Sequence, residues 1–377
     1  MKISLGFHFC VSIYFSQFFV SSSSQETQVA FFIIGDSLYD PGNNNFLNVT
    51  TTSKANYPPY GETFFKNSTG RFCDGRLVPD FIGLHANLSL WRPYLDQPEK
   101  HQFLNGANFA SAGASVLPYI SPELLNLVVQ LGLFKNVASL WRQELGDVEA
   151  NKRLNNAVFL ISIGGVDYEV FPSDYPNATA SEKHEYVNWV IGNITNTITE
   201  IYKKGGRKFA FQNVGPLGCM PMFKEQYNIS DHECMEELLE MAILHNNALF
   251  NANEELEIKL LAFKYLIFDY YNLLYDRIKH SSKYGFKVAD IACCGKGAYR
   301  AIGCGIGEYE LCSNPNEYLF FNGGHLSEHG YSQVSKLLWI GGKNVTAPFN
   351  MKQLIALELD QEIVNFSDYK STYADDE

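Results

Sequence analysis

A serine at the end of an apolar run is the first residue able to do chemistry in this chain. Val29 to Ile34 reads as a buried strand, and it runs straight into Gly35-Asp36-Ser37-Leu38. Ser37 is therefore expected where a strand leaves a sheet at its carboxyl edge and a helix begins, the edge where open α/β sheets place ligands and nucleophiles. A hydroxyl there faces substrate beside a helix N-terminus, whose N–H groups stabilise developing negative charge, while Gly35 permits the tight backbone path. Alone, these four residues are a weak motif. Other reactive side chains read more plainly as structure. His245 falls in the apolar stripe of Leu238, Met241, Leu244, Ala248 and Leu249, so it reads as a packed helix residue rather than a ligand. The run Cys293-Cys294, Cys304 and Cys312 has no C-x-x-C pair and no histidine at zinc spacing, which points to disulfides rather than a metal site.

The elements that must carry Ser37 follow from the alternation of short apolar runs with longer amphipathic stretches. Val29 to Ile34, Ala157 to Ile163, Lys208 to Asn213 and Lys264 to Phe268 have strand length, and the longest helix is expected over about Cys234 to Leu261. This alternation predicts β-α-β units around a buried parallel sheet. No linker, repeat or low-complexity tract divides the chain after its first residues, so residues 25–377 are expected to form one doubly wound α/β sandwich.

Across 377 residues there are 41 acidic and 29 basic side chains, a net charge of −12, and no basic run. That excludes nucleic acid as the expected partner. With 46% hydrophobic and 19% charged residues, the chain can bury a large core, and disordered, collagen-like, coiled-coil and multi-span membrane classes are excluded. Lys2, the apolar stretch Ile3 to Val20 and the small residues Ser21 to Ser24 read as a cleaved secretory signal over 1–24. The alternative, a signal anchor, is weakened by His8, Ser12, Ser16 and Gln17 within the stretch. No other segment is long and apolar enough to span a bilayer. Eight Asn-x-Ser/Thr sequons begin at Asn48, Asn67, Asn87, Asn177, Asn193, Asn228, Asn344 and Asn365, which predicts a glycoprotein with these asparagines on surface loops. Removing Cys10 with the signal leaves seven cysteines, so one thiol is expected to stay free or pair between chains.

Ser37 belongs to a longer block, Gly35-Asp36-Ser37-Leu38-Tyr39-Asp40-Pro41-Gly42-Asn43-Asn44. It is followed in order by Tyr57-Pro58-Pro59-Tyr60-Gly61, by Gly70 to Arg76, and by Asn108-Phe109-Ala110-Ser111-Ala112-Gly113-Ala114. Gly215-Pro216-Leu217-Gly218-Cys219-Met220-Pro221 and Cys293-Cys294-Gly295 complete the series. In these blocks the chain resembles the plant GDSL esterase/lipase family of SGNH hydrolases from about Phe31 to Val345. The resemblance implies a flavodoxin-like three-layer α/β/α sandwich with a central parallel sheet. It also implies Ser37 as nucleophile, the Ser37 and Gly113 N–H groups as oxyanion donors, and His325 as general base. The expected ligand is an acyl ester, and acyl transfer by serine and histidine implies no cofactor and no metal. Asp36 is expected to brace its turn and Asp40 a loop.

Two positions depart from the family pattern. Val166, in Gly165-Val166-Asp167, stands where the family has an oxyanion-donating asparagine, and Asn322 stands where it has the aspartate that orients the histidine. Losing one oxyanion donor costs about 10²–10³ in rate, and Asp→Asn in a serine-protease triad about 10⁴. Multiplied, these approach ~10⁶–10⁷, or about 8–10 kcal/mol, although residues acting as a unit are not additive. Asp167 and Asp269 are candidate acids to replace the missing partner of His325. Asn322-Gly323 reads first as a tight turn; it is also a sequence prone to deamidation, which would restore a carboxylate beside His325.

In this pattern the chain resembles the family's inactive GDSL-like and myrosinase-associated branch. The expectation is lost or strongly reduced ester hydrolysis and a role as a binding component, with β-glucosidase or myrosinase-type partners implied by resemblance. The alternative is a working carboxylic ester hydrolase using Ser37 and His325. The expected location is extracellular, with an ER body or the vacuole as the alternative.

Overall fold

The computed structural model describes residues 29–96, 103–230 and 233–359. The predicted signal segment and Asn365 lie outside the described residues.

Five strands form the parallel part of the central sheet: β1 (Phe31–Gly35), β2 (Gly106–Asn108), β3 (Val158–Ser162), β4 (Lys208–Gln212) and β5 (Lys264–Phe268). A hairpin of β6 (Phe320–Asn322) and β7 (His325–Leu326) lies apart from them, and β8 (Thr346–Ala347) closes the sheet antiparallel to β5. The order is β2-β1-β3-β4-β5-β8, with Phe31 level with Val158, Val158 with Lys208 and Lys208 with Lys264. Every residue of β1, β3 and β4 is buried, which is why these strands read as continuous apolar runs rather than alternating ones. This is the flavodoxin-like order, and its topological switch lies between β1 and β3.

Helices cover the sheet as α1 (Val78–His85), α2 (Leu127–Leu145), α3 (Gly165–Glu169), α4 (Ala180–Lys203), α5 (Glu236–Lys259), α6 (Tyr270–Lys279) and α7 (Glu328–Ile340). In the three-layer sandwich α4 packs on α2 and α5, while α1 pairs with α7. Helix α4 shows why such a segment folds. Thr179 and Glu182 form a capping box at its start, and Val187, Val190, Ile191, Ile194, Ile198 and Ile201 are buried at three- and four-residue steps.

The four predicted strands and the long helix lie within a residue or two of their expected bounds. Strand β2 has only three residues, Gly-Ala-Asn, and carries no apolar run that could announce it. The helix expected at Ser37 does not form. A turn follows β1 instead, in which the Tyr39 N–H donates to Asp36 O at 3.2 Å and the Leu38 N–H to Asp36 Oδ1 at 3.0 Å. Pro41 lacks an N–H, and Gly42 at φ 119° directs the chain away. Ser37 therefore draws nothing from a helix dipole.

Candidate active site

Ser37 leaves the sheet on the β1 side of the switch, and its loop is held from two directions. The Gln130 side-chain amide closes on the Gly35 peptide, accepting from its N–H at 2.9 Å and donating to its carbonyl at 2.8 Å. Buried Asp40 accepts from the Gly42 and Asn43 N–H groups through Oδ1 and from the Ala112 N–H through Oδ2, at 2.7, 2.6 and 2.9 Å. The last bond ties the Ser37 loop to the segment carrying Gly113, whose φ of +79° favours glycine. Neither the Ser37 nor the Gly113 N–H donates to any group among the described residues, and both residues line one cavity. Two unpaired donors at the mouth of a parallel sheet can receive an oxyanion.

His325 reaches Ser37 from the β6–β7 hairpin. Its Nε2 lies 2.7 Å from Ser37 Oγ, and its Nδ1 lies 2.7 Å from Asn322 Oδ1. The polarity of the Asn322 amide is set by two further bonds: Oδ1 accepts from the Gly324 N–H at 3.0 Å, and Nδ2 donates to the Tyr60 hydroxyl at 3.0 Å. Oδ1 thus faces the imidazole, so Nδ1 carries the proton and Nε2 is free to accept from the serine hydroxyl. Desolvation pushes His325 down to about 3 from its ordinary value of 6.5, so the ring is neutral across the physiological range.

The hairpin is anchored by motifs whose roles were not legible in advance. The Cys293 N–H donates to Phe320 O at 3.0 Å, and the Cys293–Cys312 and Cys294–Cys304 disulfides hold that segment. Gly323 admits no Cβ, which would lie 2.4 Å from Ala301 O. From the Gly70–Arg76 block, Asp74 Oδ1 accepts the Glu328 N–H at 2.8 Å, and Arg76 pairs with Glu328 at 2.5 Å, fixing the start of α7 just beyond His325. Tyr60 sits in the Tyr57–Gly61 block. The only advance signal for these positioning residues was that their blocks exist.

Val166 and Glu169 of α3 line the same cavity as Ser37, Gly113 and His325; its volume is about 110 Å³. Val166 presents only carbon from its side chain. Neither candidate acid replaces the expected aspartate: Asp167 accepts the Val116 and Leu117 N–H groups at 2.9 Å, and Asp269 caps α6 at the Asn272 N–H. Asp167 is committed to the segment after Gly113 and Asp269 to the first turn of α6, while Asn322 holds His325. On the other side of His325 lies a wider groove of about 510 Å³ lined by Tyr57, Tyr60, Phe72, Met222, Ile302 and Ile306.

His245 is a buried helix residue whose Nδ1 meets the Tyr168 hydroxyl at 2.7 Å, and burial pushes it down to about 3. The third disulfide joins Cys219 to Cys234, and Cys73 is a buried free thiol. Asn48, Asn67, Asn87, Asn177, Asn228 and Asn344 are exposed. Asn193 departs from the expected loop setting: it lies half-buried within α4, because the apolar stripe continues through it. Among the described residues no helix is long and apolar enough to cross a membrane.

A family model described as GDSL-like Lipase/Acylhydrolase matches residues 31–338. The chain is 42% identical over 349 residues to GDSL esterase/lipase 5 of Arabidopsis thaliana, covering 90% of each protein. It is 42% identical over 334 residues to a GDSL lipase of Tanacetum cinerariifolium, covering 88% of this chain and 89% of that one. It is also 36% identical over 333 residues to the Inactive GDSL esterase/lipase-like protein 25 of Arabidopsis thaliana, covering 88% of this chain and 76% of the other.

Proposed function

This chain belongs to the GDSL-like lipase/acylhydrolase family, and on that premise we propose that it is a carboxylic ester hydrolase. Ser37 Oγ attacks the acyl carbon while His325 Nε2 takes its proton, and the Ser37 and Gly113 N–H groups receive the oxyanion. His325 then protonates the departing alcohol, and water repeats the cycle on the acyl-enzyme. The observation that carries this proposal is the unbroken sequence of contacts from Ser37 through His325 to Asn322, with the amide polarity set by Gly324 and Tyr60. An asparagine in that role is chemically sound, since papain-like proteases use Cys-His-Asn. Much of the penalty of Asp→Asn in a serine protease is the wrong imidazole tautomer, and here the tautomer is the productive one.

The two cavities suggest a substrate. At about 110 Å³ the Ser37 side is smaller than the ~150 Å³ that holds a benzene ring, which suits an acyl group of about four carbons or fewer. The aromatic groove lies beside His325, where the leaving alcohol departs, and suits a larger apolar alcohol.

Val166 favours a second reading, in which hydrolysis is lost and the cleft serves binding; one relative is itself named inactive. The names of the relatives lend no support to a β-glucosidase or myrosinase-type partner. Three disulfides and six exposed sequons support a glycosylated, secretory-pathway protein; the proposal includes cleavage of a signal over 1–24 and a single domain over 25–377, for which the sequence alone is the ground.

The test is turnover of nitrophenyl esters from acetate to octanoate by the glycosylated protein, against Ser37→Ala prepared alongside. A Ser37-dependent rate that falls beyond four carbons supports the proposal. Rates that coincide with Ser37→Ala leave the binding reading.

A further inference from the structure

The oxyanion site lacks one donor at Val166, and one turn along α3 stands a carboxyl with nothing to hold. Residues three apart on a helix share a face, and a long side chain leans back over the turn N-terminal to its own Cα. Glu169 is therefore set to cover Val166, and both line the small cavity that contains Ser37, Gly113 and His325. Among the described residues no N–H, hydroxyl or cation donates to the Glu169 carboxyl, although it is only partly exposed.

We propose that Glu169, as a neutral carboxylic acid, donates the hydrogen bond to the oxyanion that Val166 cannot supply. This presupposes the hydrolase function proposed above.

The surroundings of Glu169 keep a proton on it. The titratable groups around it are Asp36 on the turn after β1, Asp167 on its own helix, and His325 and Tyr270 across the cavity. No Lys or Arg lines that cavity among the described residues. Three neighbouring carboxyls in a desolvated site cannot all ionise. Asp167 has the Val116 and Leu117 N–H groups and Asp36 has the Leu38 N–H to stabilise a negative charge. Burial raises Asp36 and Asp167 to about 7 as it does Glu169, and it is the missing donor at Glu169 that favours the proton there over the other two. Burial first, then Asp36 and Asp167, raises Glu169 to about 7. A neutral carboxylic acid donating into an oxyanion hole has precedent in ketosteroid isomerase.

The direction of the pH effect follows. Protonated Glu169 donates below about pH 7 and stops donating above it, whereas His325 is already neutral above about 3. Ser37-dependent kcat/KM for nitrophenyl acetate should therefore fall as pH rises through about 7.

The test compares Ser37-dependent pH profiles of the wild type, Glu169→Gln, Glu169→Ala and Val166→Asn/Glu169→Ala. Glu169→Gln, whose amide N–H donates at every pH, should lose the alkaline fall. Glu169→Ala should lose about 10²–10³ in kcat, the usual worth of one oxyanion donor. Adding Val166→Asn should restore most of that loss. An alkaline fall that persists in Glu169→Gln belongs to Asp36 or Asp167 and overturns the proposal, as does a Glu169→Ala rate within threefold of the wild type.

Infrared difference spectra of the wild type against Glu169→Gln provide a readout independent of turnover. A carboxylic-acid carbonyl band at pH 6 that disappears by pH 8.5 is expected, and its absence overturns the proposal even if Glu169→Ala does not fold. If the wild type itself shows no Ser37-dependent turnover, the hydrolase function fails, and this proposal with it. A rate indifferent to Glu169 sinks this proposal alone.

Discussion

Replacing Asn322 with aspartate separates two contributions that a serine-protease triad combines. An aspartate at this position selects the imidazole tautomer and also stabilises imidazolium, and losing both costs about 10⁴. Here Gly324 and Tyr60 already turn Oδ1 toward Nδ1, so only the second contribution is missing. A hydrogen bond to a charged group is worth about 1.5–3 kcal/mol and a neutral one about 0.5–1.5, a difference of about 1–2 kcal/mol. Asn322→Asp should therefore raise Ser37-dependent kcat/KM by roughly 5- to 30-fold. The same interaction stabilises the protonated ring, so the His325 pKa must rise from about 3, by about one unit at 1.36 kcal/mol each. His325 acts as base only when neutral, so the acid limb of kcat/KM should move to higher pH by that amount. The assay is the full pH profile of nitrophenyl acetate hydrolysis, with the Ser37→Ala rate subtracted at every point. A gain of 10³ or more would mean that the amide is not holding the productive tautomer. An acid limb that stays in place would mean that residue 322 does not act on His325 at all.

Other consequences can be measured in the same preparations. Tyr60→Phe leaves the buried Asn322 NH₂ without its acceptor and should cost about 1–3 kcal/mol of stability by thermal melting, with a fall in kcat larger than the change in KM. Asn322→Asp/Tyr60→Phe should lose proportionally less of its rate, because a carboxylate has no wrong orientation. Cys293→Ala/Cys312→Ala opens a loop closed over 19 residues and should lower stability by about 3 kcal/mol while loosening the anchor of the β6–β7 hairpin, seen as faster exchange of the residue 293 N–H that donates to Phe320 O. Cys73 should resist iodoacetamide in the folded protein and react on unfolding, since burial pushes its thiol well above the usual range.

How much was legible in the sequence depended on how local each cause is. Strands β1, β3 and β4 are buried on both faces and β5 largely so, and their apolar runs declared them. Strand β2 is three small residues defined by its neighbour, and no propensity marks it. The helix expected at Ser37 failed because Pro41 and Gly42 turn the chain before a helical turn can repeat. The positions of Ser37, Gly113, His325, Val166 and Asn322 came from the resemblance to the family's blocks; the structure brings the first four to one cavity and sets Asn322 against His325 Nδ1. What the sequence could not supply was the direction of an amide. Asn322 reads as a lesion until the Tyr60 hydroxyl, 262 residues away, and the Gly324 N–H show which end faces the imidazole. Nor could it show that Glu169, an ordinary helix residue by type, is left without a donor in the cavity beside Val166.

The most direct test of the central claim is covalent capture of Ser37 by an alkyl fluorophosphonate, read by intact mass and peptide mapping on the glycosylated protein. Activation of Ser37 by His325 predicts one adduct per chain on Ser37, formed at a rate that collapses in His325→Ala. A protein that stays unlabelled, or that is labelled at the same rate without His325, would contradict it.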